Sequence, residues 1–364
     1  MKPLQIFVLI GLCIGSLAAQ AELLCARNTA ELRAALSTAE ANLQADEIRL
    51  ETGLYETNGS QFDYLETDGM DLTISGGWTT FNGSPCARRQ SLNAFMTVLD
   101  GEMASRVMRI TLSQDASLFV DGLSFINGLD LNGRGAGLNV TKLNNLNTGE
   151  MVFDRVIFVN NEAQFGGALS LSGAARINVM NALVYQNHAT VTGNVEIIMN
   201  DADGIYFHNN TVLQNTMDGT AWNHTGGVLL SGSGSTQMLI ANNVLRDNDQ
   251  FDLRATATAQ IYRYSNNLQN DSGSVPTESF NEFDLPPRFF MNTETFEPDL
   301  TSPLVGAGTN PCGQVCPFPT PFRNDWSHPS HDIKGQQREQ GSRIDIGAVE
   351  SVHEPDLIFW NRLE

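Results

Sequence analysis

The sequence is expected to fold as an all-β, right-handed parallel β-helix with a short N-terminal capping helix, on three observations. Copies of one apolar-and-asparagine pattern recur at the spacing of a single solenoid coil. Within each copy the apolar residues alternate as in a strand, turn, and alternate again. Glycine-led segments stand between the copies, where a coil must change direction.

The copies occupy residues 118–128 (LFVDGLSFING), 151–161 (MVFDRVIFVNN), 177–187 (INVMNALVYQN), 205–215 (IYFHNNTVLQN) and 238–248 (MLIANNVLRDN), with a worn copy at 262–270 (YRYSNNLQN). Their closing residues Asn161, Asn187, Asn215 and Asn248 advance by 26, 28 and 33 residues. Steps of that size are one coil of a solenoid, in which each coil pairs only with its neighbours. Phe153, Val179, Phe207 and Ile240 then share one inward column, and Phe158, Val184, Val212 and Leu245 another.

Asparagines align with these apolar columns. Asn181, Asn209 and Asn242 form one column and Asn210 and Asn243 the next, and Asn266 and Asn267 join them if the worn copy is aligned on its Asn pair. Asn tolerates the left-handed backbone of a tight bend. Stacked at the strand spacing of about 4.8 Å, its amide can bond the coils on either side. The segments Gly135-Ala136-Gly137, Gly166-Gly167-Ala168 and Gly226-Gly227 precede further strands. No Lys-Ser/Thr pair or helix start follows them, so corners are expected rather than phosphate loops.

Earlier in the chain, Asn28 and Glu31 have capping-box spacing, and Leu32, Ala35, Leu36, Ala39 and Leu43 follow at helical spacing. This helix would cover the open end of the stack, whose strand edges are otherwise unpaired. Residues 47–55 and 71–78 read as the first coil segments. The organisation expected is a signal peptide at 1–21, a capped β-helix at 22–275, a closing region at 276–350 and a short tail at 351–364.

The signal peptide rests on Lys2, an apolar run from Leu4 to Leu17 and a small-x-small site at Ala19-Gln20-Ala21, which places the mature start near Glu22. The run is too brief to span a bilayer. Cleavage removes Cys13 and leaves Cys25, Cys86, Cys312 and Cys316. In an exported chain these suggest two disulfides, and sequence proximity favours Cys312–Cys316 and Cys25–Cys86; a zinc site is the alternative. The formal net charge is −20, and Lys2, Lys142 and Lys334 are the only lysines. Nucleic acid and anionic lipid need a basic footprint and are poor partners, as is a polyanionic glycan without a bridging cation.

Residues 46–50 (DEIRL) with Gly53-Leu54-Tyr55, and 72–78 (LTISGGW) with 97–101 (TVLDG), resemble exported pectin-lyase-like β-helix proteins. Residues 302–308 (SPLVGAG), followed by Asp332, Gly335, Arg338, Gly341, 345–348 (DIGA) and Glu350, are similar to a choice-of-anchor Q domain. The resemblance spans most of the mature chain. It implies an exported β-helix with variable means of attachment, and no particular reaction. Residues 356–364 resemble short terminal tails of other exported bacterial proteins, with Arg362-Leu363 where those carry Gly-Phe.

Solenoid lyases and hydrolases place carboxylates and bases on an exposed strand face. Three acidic groups qualify for inspection: Asp201 with Asp203; Asp121 with Asp154, which share a column; and Asp247, Asn248, Asp249 and Asp252. Each could hold Ca²⁺, which takes such oxygen ligands, although solvated turn residues have the same appearance. The cations of the central coils are Arg155, Arg176, Arg246, Arg254 and Arg263, none in a lyase motif. His328, His331 and Asp332 have ligand-like spacing, but Pro329 makes a structural loop the expectation. No nucleophile elbow, phosphate loop or zinc-protease motif occurs. No catalytic, cofactor or metal residue is assigned. The function expected is a secreted or cell-surface scaffold, non-catalytic, that binds glycan or another surface component. The alternative is a polysaccharide lyase or glycoside hydrolase.

Overall fold

A computed structural model describes residues 21–143, 148–219, 224–290, 296–310, 322, 326, 329–338 and 343–351. The expected signal segment up to Gln20, Cys312, Cys316, His328 and the tail from residue 352 lie outside them.

The chain is a right-handed parallel β-helix. Strand Leu118–Ile126 pairs in parallel with Glu150–Val159, which pairs with Arg176–Met180 and, past a bend, with Leu183–Tyr185. The same parallel register continues through Ile205–His208 and Thr211–Leu213 to Met238–Ala241 and Val244–Arg246. An eight-stranded sheet runs up the opposite wall, and a four-stranded sheet closes one side. Both apolar columns expected from the sequence are present: Phe153↔Val179↔Phe207↔Ile240 and Phe158↔Val184↔Val212↔Leu245. All eight side chains are buried. Each such residue contributes about 1.5–3 kcal/mol by leaving water.

Gly135 and Gly166 take φ +63° and +57° ahead of strands Leu138–Lys142 and Leu169–Gly173, so these glycines turn corners. The capping helix spans Thr29–Ala41, with Asn28 Oδ1 accepting from Glu31 N at 3.0 Å. It buries Leu32, Ala35, Leu36 and Ala39 over the first coil. Leu43 lies beyond its end and is 75% exposed, contrary to the helical spacing. The Cys25–Cys86 disulfide is formed, tying the first strand, Glu22–Ala26, to Ser84–Arg89. No helix among the described residues is long and apolar enough to cross a membrane.

The asparagine ladder is real, and of the two columns expected Asn210 and Asn243 ladder whereas Asn181, Asn209 and Asn242 do not. Asn181, Asn209 and Asn242 hold the left-handed bend at φ +52°, +56° and +55°. The amide-to-amide stacks are Asn210–Asn243–Asn266 and Asn161–Asn187–Asn215–Asn248, the second ending on Asp252. In each link an Oδ1 accepts both the backbone N–H and the Nδ2 of the coil before it, as Asn215 Oδ1 does from Asn187 at 3.0 Å each. The Asn pair of the worn copy is displaced by one residue from the alignment expected. Ser265 takes the bend at φ +49°, Asn266 joins the ladder, and Asn267 falls opposite Val244. Register follows the flanking strand, in which Tyr264 pairs with Ala241, rather than identity at the bend.

The inward column ends on Arg263, opposite Ile240. Its guanidinium pairs with Asp271 at 2.6 Å and Glu282 at 2.6 Å, and so closes the core with charge. The closing region first adds a short rung, Glu278–Phe280 pairing in parallel with Ile261–Tyr264, and its later described residues then fold back along the outside of the stack. Ile333, Ala348 and Val349 pack on Ile157, Leu183 and Tyr185, while Leu304 and Ile346 pack on Leu213 and Val244. Phe322 and Trp326 cover Tyr206, Leu239 and Tyr262 on the neighbouring face. Strands buried on both faces explain why copies such as MLIA are apolar at outward positions too.

Candidate functional site

The part of the first strand face that the closing region leaves open forms a groove of about 390 Å³. Its wall is a stack of outward side chains from successive coils: Glu47, Thr73, Phe119 and Val152 in one row, and Ser75, Asp121, Asp154 and Met180 in the next. Trp78 and Arg89 complete it. Trp78 Nε1 donates to Ser75 Oγ at 2.9 Å, and the Arg49 guanidinium stacks on the indole at 3.8 Å. Arg49 also pairs with Glu47 at 2.7 Å.

Asp121 and Asp154 pair in register on adjacent coils, as their shared column requires. Two like charges at this spacing repel, and two arginines offset them. Arg155 Nη2 lies 2.6 Å from Asp121 Oδ1 and its Nη1 2.9 Å from Asp154 Oδ2, while Arg89 Nη1 lies 2.6 Å from Asp121 Oδ2. Arg155 does this from a left-handed backbone at φ +50°, the place filled by Gly122 one coil earlier and Asn181 one coil later. A long side chain in that conformation costs about 1–2 kcal/mol, strain of the kind that collects at functional positions. Gly122 suits its own φ of +71°; an added Cβ would meet the movable end of Arg89, at 2.8 Å from Nη2.

Burial pushes the Asp154 carboxyl up to about 6, against the pull of Arg155 and with Asp121 adding to the rise. Asn181 Nδ2 donates to its Oδ1 at 2.7 Å. The folded state therefore holds this proton more tightly than the unfolded chain does. The stability that proton confers is complete below the ordinary carboxylate value and is lost as pH rises to about 6. Between pH 4 and 6 wild-type stability should fall through this group by a few kcal/mol, at ~1.4 kcal/mol per pH unit. In Asp154→Asn that component of a urea-melt pH series should vanish; an unchanged slope would refute the assignment.

Other residues singled out in the sequence are placed elsewhere. Asp201 and Asp203 are exposed in the turn after Val195–Asn200, with Asp201 Oδ1 accepting from Ser235 N at 3.2 Å, and neither lines the groove. The group at 247–252 divides. Asn248 and Asp252 end the ladder, Asp249 Oδ2 accepts from Met217 N, and Asp247 is exposed. Burial raises the Asp252 carboxyl, which accepts from Asn248 and Asn270. Arg246 pairs with Asp284, Arg263 caps the core, Arg176 lies 5.9 Å over the Tyr206 ring, and Arg254 stands on the outer eight-stranded sheet. Asp332 is buried and accepts backbone N–H groups of Lys334, Gln336 and Glu350, the structural loop expected there.

Arg89 and Trp78, with Arg49 packed against Trp78 beside the groove, are the site residues that sequence reasoning missed. Arg89 arrives on Ser84–Arg89, a strand antiparallel to Leu72–Phe81 and outside the repeat. The available signal was the pairing of Asp121-Gly122 with Asp154-Arg155, an arginine in a glycine column.

No family profile and no curated protein matches the chain. Among solved structures it is similar to the crystal structure of pectate lyase Pel9A, at 13% identity and a TM-score of 0.40, over 92% of this chain and 98% of that one.

Proposed function

We propose that this protein is an exported scaffold that binds a neutral glycan in the groove beside Trp78 and does not turn it over. The observation that carries the reading is the charge balance of the groove. Glu47, Asp121, Asp154 and Arg89 line it, and each carboxylate is already paired with a guanidinium, from Arg89 in the lining or from Arg49 and Arg155 beside it. A chain of net charge −20 repels a polyanion over the ~8–10 Å that salt leaves unscreened, and this groove offers no excess of positive charge to reverse that. Carboxylate oxygens and guanidinium N–H groups suit sugar hydroxyls, and an indole suits the apolar face of a pyranose ring.

Export is supported by the signal-like N-terminus and by the Cys25–Cys86 bond, which persists in oxidising compartments. The closing region of choice-of-anchor Q type is read as an integral part of the scaffold, its motif residues serving to dock it. One observation favours the alternative, a carbohydrate-active enzyme: Asp154 retains a proton at higher pH than an ordinary carboxyl and lies next to Asp121, as an acid and its partner do in glycosidases.

The test is calorimetry of the mature protein with hexasaccharides of glucose, mannose and xylose, alongside reducing-end and unsaturated-product assays on these and on uronate polymers, with and without Ca²⁺. Binding to a neutral oligosaccharide, weakened about fivefold to tenfold by Trp78→Ala and without product, is the expected result. Product release abolished by Asp154→Asn would replace the scaffold reading with the enzyme.

A further inference from the structure

Two polar groups buried between the solenoid and the closing region, Arg338 and Asn181, form a line that ends on the half-buried Asp154 in the groove. Arg338 is fully buried, and its Nε and Nη2 donate to Asn181 Oδ1 at 3.1 and 2.5 Å. Its remaining bonds go to Glu350 Oε2 at 3.1 Å and to Gly347 O at 2.7 Å, both in the closing region. Asn181, also fully buried, uses its Nδ2 for Asp154 Oδ1 at 2.7 Å and for His331 O at 3.0 Å. A single amide thus accepts from the closing region's arginine on one side and donates to the groove's carboxylate on the other. Among the described residues no other column position is tied in this way: the Asn242 side chain, at the same bend two coils on, bonds the backbone of Thr309.

We propose that Asn181 and Arg338 are positioning residues for the groove, through which the docked closing region holds the Asp154 carboxylate in its binding orientation. This assignment rests on the groove being the ligand site. The physical basis is the direction of each bond. Two guanidinium N–H groups polarise the Asn181 carbonyl, which strengthens its amide as a donor to Asp154. The Arg338 charge also favours ionised Asp154 across that amide. Linkage makes the effect reciprocal, so the state of Asp154 feeds back on docking of residues 331–338 and 343–351. The charged groups around Asp154 are Asp121, Arg89 and Glu47 in the groove, Arg155 beside it, and Arg338, Glu350 and Asp332 in the closing region.

The experiment is a double-mutant cycle read by amide hydrogen exchange at pH 7 on residues 331–338 and 343–351 of the full chain. Asn181→Gly removes the amide and keeps the bend, since glycine suits φ +52° and already serves in this column as Gly122. Asp154→Asn should reduce protection of the closing region about fivefold or more in the wild-type background and not at all in the Asn181→Gly background. Equal effects in both backgrounds would overturn the proposal, and a cycle is insensitive to direct loss of the His331 contact. Carboxyl ¹³C titration supplies a second readout. The Asp154 midpoint should rise in Asn181→Gly, and an unchanged midpoint would overturn the relay. Neither readout uses a sugar, so failure of every oligosaccharide to bind would reject the glycan reading while leaving this result to stand or fall alone.

Discussion

Asn215→Leu is expected to destabilise the protein by about 5 kcal/mol, because it strands three buried groups at ~1–3 kcal/mol each. The Asn187 backbone N–H loses its acceptor, and the carbonyls of Val184 and Leu213 lose the Asn215 amide that donates to them at 3.1 and 3.0 Å. None of the three can turn to water, since Asn187 and Asn215 are both fully buried. Asn209→Leu should behave quite differently. Its Oδ1 meets His208 Nδ1 at 2.9 Å, but its Nδ2 has no hydrogen-bond partner among the described residues. The principal cost is a leucine at φ +56°, about 1–2 kcal/mol, and Asn209→Gly should recover most of it. Chemical denaturation of the three variants decides the matter. Similar losses for Asn215→Leu and Asn209→Leu would place the stabilising stack at the bend after all.

That contrast shows what was legible in the sequence. The coil repeat was, because a two-residue period and a buried interior force Phe153, Val179, Phe207 and Ile240 into one column. The same register brought Asp121 to Asp154. Which asparagines ladder was not legible, because the bend and the ladder positions are adjacent and both favour Asn. One needs its backbone tolerance and the other its amide. Ser265 makes the distinction: a bend accepts serine, whereas its ladder neighbour Asn266 still donates to Ile240 O.

The groove was half legible for a related reason. Residues delivered by coils could be aligned, but Arg89 comes from an antiparallel hairpin that obeys no repeat, and it pairs with Asp121 across 32 positions of sequence. The closing region posed the opposite difficulty. Its acidic and basic residues look like a solvated surface in sequence, yet Asp332, Arg338, Asp345 and Glu350 are all buried. They are tolerable there because each is satisfied. Asp345 accepts from Gly306 N and Ser351 N, and Glu350 accepts from Asp345 N and Arg338.

Arg338→Met should accordingly cost about 3–5 kcal/mol, the usual loss when one partner of a buried ion pair is removed. Glu350 would remain in a site where burial already pushes its carboxyl up to about 8 despite the guanidinium beside it. Without Arg338 its affinity for a proton rises further, so the variant should become less stable with increasing pH over a wider range than wild type. Asn181 Oδ1 and Gly347 O lose their donors in the same step. The loss should be local before it is global. Proteolysis should open residues 331–350 while the coils, held by their own ladders and columns, stay protected. Arg338→Met with Glu350→Gln should recover part of the loss, because the neutral amide keeps an acceptor for Asp345 N and leaves no unpaired charge. A loss below about 1 kcal/mol in the single variant would mean that the apolar seam of Leu304, Ile333, Ile346 and Ala348 docks the closing region unaided. Arg338 would then have no structural reason to be buried, and its reach through Asn181 to Asp154 would be left as the reason for its position.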